Sequence, residues 1–153
     1  MFSVYTDSIA FYLEDIDTSC ITREKIKNKY LPHYSAIKGS NITNSFISAA
    51  GTDTSIGVKS NVASKIFILN VYHHFSDDMA MVRECKRILK SGGKLFIDEH
   101  VLNRNKDSFK FCDYGGHYKS EKNFVKDIVD VGLKCDTIYR FGKYWRIFVF
   151  SKQ

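Results

Sequence analysis

Acids and histidines in this chain gather directly after short apolar runs. Glu14-Asp15-Ile16-Asp17 follows Ile9-Ala10-Phe11-Tyr12-Leu13, Tyr72-His73-His74-Phe75 follows the strand-like residues 65–71, and Asp98-Glu99-His100 follows Lys94-Leu95-Phe96-Ile97. Histidine and glutamate exchange protons in water, so His74, Glu99 and His100 are the candidates for a general base. Each group also has a structural reading. The first acids suit a polar strand exit with charges at a helix start. His73 and His74 suit surface or hydrogen-bonded core positions, and Glu99 and His100 suit the start of a solvated loop. Tyr114, His117 and Tyr118 fit a cap over a substrate or a packed aromatic loop, and Arg87 reads as a structural cation paired with an acid. The cysteines Cys20, Cys85, Cys112 and Cys135 are scattered with no CxxC pair, and the paired histidines lack a third ligand, so the spacing gives no metal site.

The elements that must hold these groups alternate between strand and helix, the pattern of an α/β layer fold. Residues 9–13 read as a buried strand, followed by a helix capped by Thr18 or Ser19 and running to about Tyr30. Residues 44–49 give a second, weaker strand before Gly51-Thr52-Asp53, and residues 65–71 a strong one. Ser76 then caps a helix whose apolar face is Met81, Val82, Cys85, Ile88 and Leu89, and Gly92-Gly93 ends it. Lys94-Leu95-Phe96-Ile97 is the next strand. Ser120 caps a last helix bearing Phe124, Val125, Ile128 and Val129, which Gly132 closes. Residues 133–139 and 144–150 form an antiparallel hairpin across Arg140-Phe141-Gly142-Lys143. No repeat, low-complexity run or composition shift divides residues 1–153, which read as one domain.

The bulk properties narrow the function classes. Hydrophobic residues at 44% and charged residues at 26% are those of a globular domain with a core. No apolar run is long enough for a bilayer span, and the N-terminus carries no secretory pattern, so reduced thiols and a cytoplasmic location are expected. A net charge of +6 favours anionic partners, yet the basic residues are dispersed, and Arg23-Glu24-Lys25-Ile26-Lys27-Asn28-Lys29 reads as a solvated helix face rather than a nucleic-acid stripe.

The stretch from Ile66 to His100 resembles class I S-adenosyl-L-methionine-dependent methyltransferases. A buried strand is followed by a capped helix ending Arg87-Ile88-Leu89-Lys90-Ser91-Gly92-Gly93, similar to that family's RxLKPGG-like run with serine for proline, and then by a strand ending in acid. Asp15-Ile16-Asp17 resembles the end of the family's second strand, and the C-terminal hairpin its antiparallel final pair. The resemblance covers residues 8–151. It implies a Rossmann-like, mostly parallel sheet closed by an antiparallel hairpin, with S-adenosyl-L-methionine as cofactor. It further implies that Asp15, with Glu14 and Asp17 as alternatives, holds the ribose hydroxyls, since a carboxylate accepts two hydrogen bonds from a cis-diol. Thr52 and Asp53 would meet adenine, and Asn70 and Val71 would lie near the methyl donor, because ligands of open parallel sheets sit beyond the strands' carboxyl ends. Asn70-Val71-Tyr72-His73 lacks the prolines of the [DN]PP[YF] motif, which argues against exocyclic amines of bases as acceptors. The expected reaction is methyl transfer to a small molecule. Alternatives are a binding or scaffold module without a cofactor site and an RNA-modifying enzyme.

One part of the pattern is missing. The family's first strand runs into a GxGxG-like turn, and this chain contains neither, so it reads as N-terminally incomplete. In the family's strand order that strand lies centrally. Each buried backbone group left unpaired costs about 1–3 kcal/mol, against a total stability of about 5–15 kcal/mol. The chain is therefore expected to be a shortened form of a longer one, to pair the two flanking strands directly, or to take a strand from another copy or protein.

Overall fold

The computed structural model describes residues 5–102 and 117–153. These fall into two compact units, one of residues up to Thr52 with Ile56–Val58, the other of Asp53–Ser55 with Lys59–Gln153. In the first, β1 (Ala10–Asp15) and β2 (Ser45–Ala50) pair in parallel from Ala10↔Ser45 to Asp15↔Ala50, with Phe11 and Phe46 stacked at 5.4 Å. The connection is helical, as expected, but broken in geometry. A 3-10 turn at Thr18–Ile21 leads to α1 (Arg23–Lys25), a π-helical turn at Ile26–Tyr30 and α2 (Leu31–Lys38). Its caps differ from the expected Thr18 or Ser19. Asp17 accepts from the Ser19 N–H at 2.9 Å, and Thr22 from the Lys25 N–H at 3.2 Å. The helix also runs beyond Tyr30, because Pro32 falls in the first turn of α2, where its missing N–H costs nothing.

The second unit is a four-stranded sheet in the order β3-β4-β6-β5, built from β3 (Ala63–Leu69), β4 (Leu89–His100), β5 (Lys134–Phe141) and β6 (Trp145–Ser151). β3 runs parallel to β4, and β4–β6 and β6–β5 are antiparallel, so the C-terminal hairpin forms as expected. The described strands thus make two sheets, β1-β2 and β3-β4-β6-β5. α3 (Asp78–Ile88) packs on β4, and α4 (Glu121–Asp130) on β5 and α3. Asp77, not Ser76, caps α3, accepting from the Ala80 N–H at 2.8 Å, while Ser120 caps α4 as expected. The exit of α3 also departs from expectation. The helix ends at Ile88, and Leu89 is already extended. The register then jumps from Ala63↔Leu89 to Lys65↔Lys94, so residues 90–93 bulge from the ladder, with Gly92 in the left-handed region at φ 73°.

Strand alternation explains the core. Leu95, Ile97 and Glu99 of β4 are buried, as are Arg146, Phe148 and Phe150 of β6. The register pairs Leu95 with Phe150, Ile97 with Phe148 and Glu99 with Arg146. Two apolar layers are therefore followed by one polar layer at the carboxyl end of β4. Phe124 of α4 stacks on Phe148 at 4.3 Å and meets Tyr72 at 4.7 Å. Burying such a phenylalanine contributes about 1.5–3 kcal/mol, and here it also fixes the turn that carries Tyr72.

Candidate active site

After Leu69 the chain turns sharply. Asn70 adopts φ 52°, a left-handed conformation that asparagine tolerates better than most residues, and its N–H donates to the Asp98 carbonyl at 2.8 Å. A 3-10 turn over Tyr72–His74 follows, closed by the His74 N–H on the Val71 carbonyl at 3.0 Å. This turn lays His73 over the polar layer. His73 Nδ1 lies 2.9 and 2.8 Å from the two oxygens of Glu99, and both side chains are nearly inaccessible to solvent, at 3% and 2%. Glu99 also accepts the N–H of His73 at 3.1 Å and of His100 at 2.7 Å. Every partner around the carboxylate donates. Nδ1 therefore carries the proton it gives to Glu99, and in the neutral imidazole the lone pair sits on Nε2.

Aromatic rings border this pair. The His74 ring is 4.1 Å and the Tyr118 ring 4.6 Å from that of His73, and His100 meets Trp145 edge-on at 4.3 Å. Burial pushes the Asp98 carboxyl above its ordinary pKa, a hydrogen bond from Trp145 works the other way, and the neighbouring Glu99 adds to the rise. Burial also pushes the Tyr72 phenol up, helped by the Asp78 and Asp127 carboxylates. Arg87 is structural, as expected, with Nε and Nη2 each 2.7 Å from Glu84.

The structure brings together part of the set read from sequence. Glu99 and Tyr118 meet His73, the His100 ring lies 6.1 Å from that of Tyr118, and His74 is exposed beside His73. His73, absent from the set of candidate bases, is the residue that Glu99 engages. Its signal lay in β4, where Glu99 shares the inward parity of Leu95 and Ile97, and a buried acid needs a donor. Asp15 and Asp17 are exposed at and just beyond the end of β1, Thr52 and Asp53 are exposed past β2, and Asn70 and Val71 are exposed past β3. Tyr114 lies outside the described residues.

A family model described as a methyltransferase domain matches residues 14–97, more than half of the chain. The chain belongs to the methyltransferase-domain family. Its fold agrees, being α/β with a mostly parallel arrangement and an antiparallel C-terminal pair, similar to the class I S-adenosyl-L-methionine-dependent enzymes. Among solved structures it is similar to a SAM-dependent methyltransferase from Aquifex aeolicus, at 19% identity and TM-score 0.60, covering 91% of this chain and 66% of that one. It is similar to PigF solved with SAH, at 14% identity and TM-score 0.65, over 94% of this chain and 43% of that one. It is also similar to an O-methyltransferase family 2 protein from Planctomyces limnophilus solved with apigenin, at 14% identity and TM-score 0.62, over 93% of this chain and 42% of that one. The chain thus spans less than two thirds of the length of each of these neighbours. No curated protein matches it significantly.

S-adenosyl-L-methionine is the cofactor of this family, and the carboxylate at the end of β1 has the chemistry for its ribose. Asp15 is exposed at the carboxyl end of β1, and its Oδ1 accepts the Asp17 N–H at 3.0 Å. A carboxylate offers about four lone-pair sites, enough for that bond and a ribose diol besides. Asp17 is occupied differently, since its Oδ1 caps the 3-10 turn through the Ser19 N–H. Among the described residues no helix is long and apolar enough to cross a membrane.

Proposed function

We propose that this methyltransferase acts in the cytoplasm on a small molecule whose attacking atom must lose a proton, and that His73, oriented by Glu99, takes that proton. The observation that carries this reading is the contact of His73 Nδ1 with both Glu99 oxygens at 2.8–2.9 Å, which leaves Nε2 as the basic nitrogen. Bound S-adenosyl-L-methionine supplies an electrophilic methyl group with its own leaving group, so the protein's task is positioning and proton removal. Asp15 accepts the ribose hydroxyls, with Asp17 stiffening the strand exit. Thr52 and Asp53 contact the adenine, and Asn70 and Val71 the methyl donor. His74, beside His73, and His100, held by Trp145, line the acceptor side. A second copy of the chain is the partner we assign to β3, an edge strand with Phe67 and Leu69 exposed.

The test is transfer of tritiated methyl from S-adenosyl-L-methionine to a panel of phenols and hydroxy acids. His73→Gln is expected to slow transfer by about 10²–10⁴-fold, the usual contribution of a positioned base. An unchanged rate in His73→Gln, for an acceptor that the wild type methylates, overturns the assignment.

A further inference from the structure

Residues 117–120 return to the sheet directly over His73 and are tied down along their length. The His117 N–H donates to the His73 carbonyl at 2.9 Å. The Tyr118 ring meets the His73 ring at 4.6 Å. The Lys119 carbonyl accepts the Leu102 N–H at 2.9 Å, and Ser120 begins α4 as its cap. Between ring and cap, Lys119 Nζ lies 2.5 Å from Asp78 Oδ2, at the start of α3, and 2.6 Å from Asp127 Oδ2, midway along α4. One ammonium thus joins two helices to the strap bearing Tyr118. Its charge is secure there. Partial burial works against it, but the hydrogen bonds to Asp127 and Asp78 prevail and raise its pKa.

Glu99 grips His73 along one edge only, through Nδ1 and the backbone N–H. Those bonds fix the tautomer but leave the ring free to tilt about the gripped edge. Ring contacts limit that freedom: His74 lies 4.1 Å from His73 and Tyr118 4.6 Å, and of the two Tyr118 is carried by the strap. We propose that Lys119 is a positioning residue: by latching the 117–120 strap to Asp78 and Asp127 it holds Tyr118 against His73 and so sets the plane in which Nε2 points. The catalytic consequence rests on the base assigned to His73 above; the latch itself does not.

The experiment is performed on the full chain without added ligand. The imidazole resonances of His73 are assigned by comparison with His73→Gln and followed in Lys119→Met and Lys119→Arg. Tyr118→Leu, which removes the ring current, supplies the reference displacement. Lys119→Met is expected to displace the His73 resonances in the same direction and by most of that extent, while Lys119→Arg restores them largely. Asp127→Asn, a milder change that keeps the Asp78 contact, is expected to give a partial displacement and serves if Lys119→Met does not fold. In the methyl-transfer assay Lys119→Met is expected to lower kcat about tenfold with little change in KM, as slight misplacement of a reacting group does. His73 resonances that stay at wild-type positions in Lys119→Met and Asp127→Asn overturn the latch, even if the melting temperature falls. If His73→Gln leaves transfer intact while the resonances move as expected, the latch stands and the base assignment alone fails.

Discussion

Glu99 shows how one side chain converts a strand position into chemistry. It continues the inward series of Leu95 and Ile97, so it is buried by register, and the donors arranged around it decide what burial does. Its cross-strand neighbour Arg146 is buried too, yet it spends its charge elsewhere. Its Nε lies 2.6 Å from Glu121 Oε2, and Glu121 also binds the exposed Arg140. The hydrogen bond from Arg140 lowers the Glu121 pKa, burial opposes it, and the bond from Arg146 lowers it further. A depressed carboxyl stabilises the fold above its unfolded pKa, and that stability is lost as pH falls through the folded value. Glu121→Gln is therefore expected to cost about 1–3 kcal/mol near neutral pH, because the buried Arg146 guanidinium loses its charged partner. Thermal melts of both proteins should converge as the acid is titrated; a gap that persists or widens at low pH contradicts this account.

At the level of elements, much was legible. The positions of the strands matching β1 to β6, most of the apolar faces of α3 and α4, and the Ser120 cap follow from periodicity and capping chemistry, because local rules decide them, whereas β1, read as buried, alternates exposed and half-buried residues, and Val129 of α4 is exposed. What was not legible depends on contacts distant in sequence. Ser76 and Asp77 are both competent caps, and only the path of the chain leaving the His73 turn selects Asp77. The Leu89 kink and the bulge at residues 90–93 arise because β3 pairs with Leu89 before the glycines arrive. The His73–Glu99 pair spans 26 positions, beyond the reach of any helix or hairpin spacing. β3 itself carries an element-scale consequence. Among the described residues it is the outer strand of its sheet, with Phe67 and Leu69 exposed, and apolar outer strands pair with other chains. Wild-type protein is expected to self-associate with rising concentration in sedimentation, and Phe67→Lys with Leu69→Lys to remain monomeric. A wild type that is monomeric at every concentration contradicts the assignment of a second copy to this edge.

For the whole molecule, the proposed function rests on residues at the strand ends. Two apolar layers build the sheet of the second unit, the third layer carries His73, Glu99 and Arg146, and the exit of β1 in the first unit offers the Asp15 carboxylate. The chain belongs to the methyltransferase-domain family, and the proposed roles give Asp15 to the diol of that family's cofactor and His73 to the acceptor. The most direct measurement is calorimetric titration of the full chain, and of a version extended upstream, with S-adenosylhomocysteine. The expected result is micromolar binding by at least the extended version, weakened about 10- to 100-fold by Asp15→Ala, the scale of hydrogen bonds to a charged group. Binding by neither version would contradict the account and leave a methyltransferase fold that serves as a binding module alone.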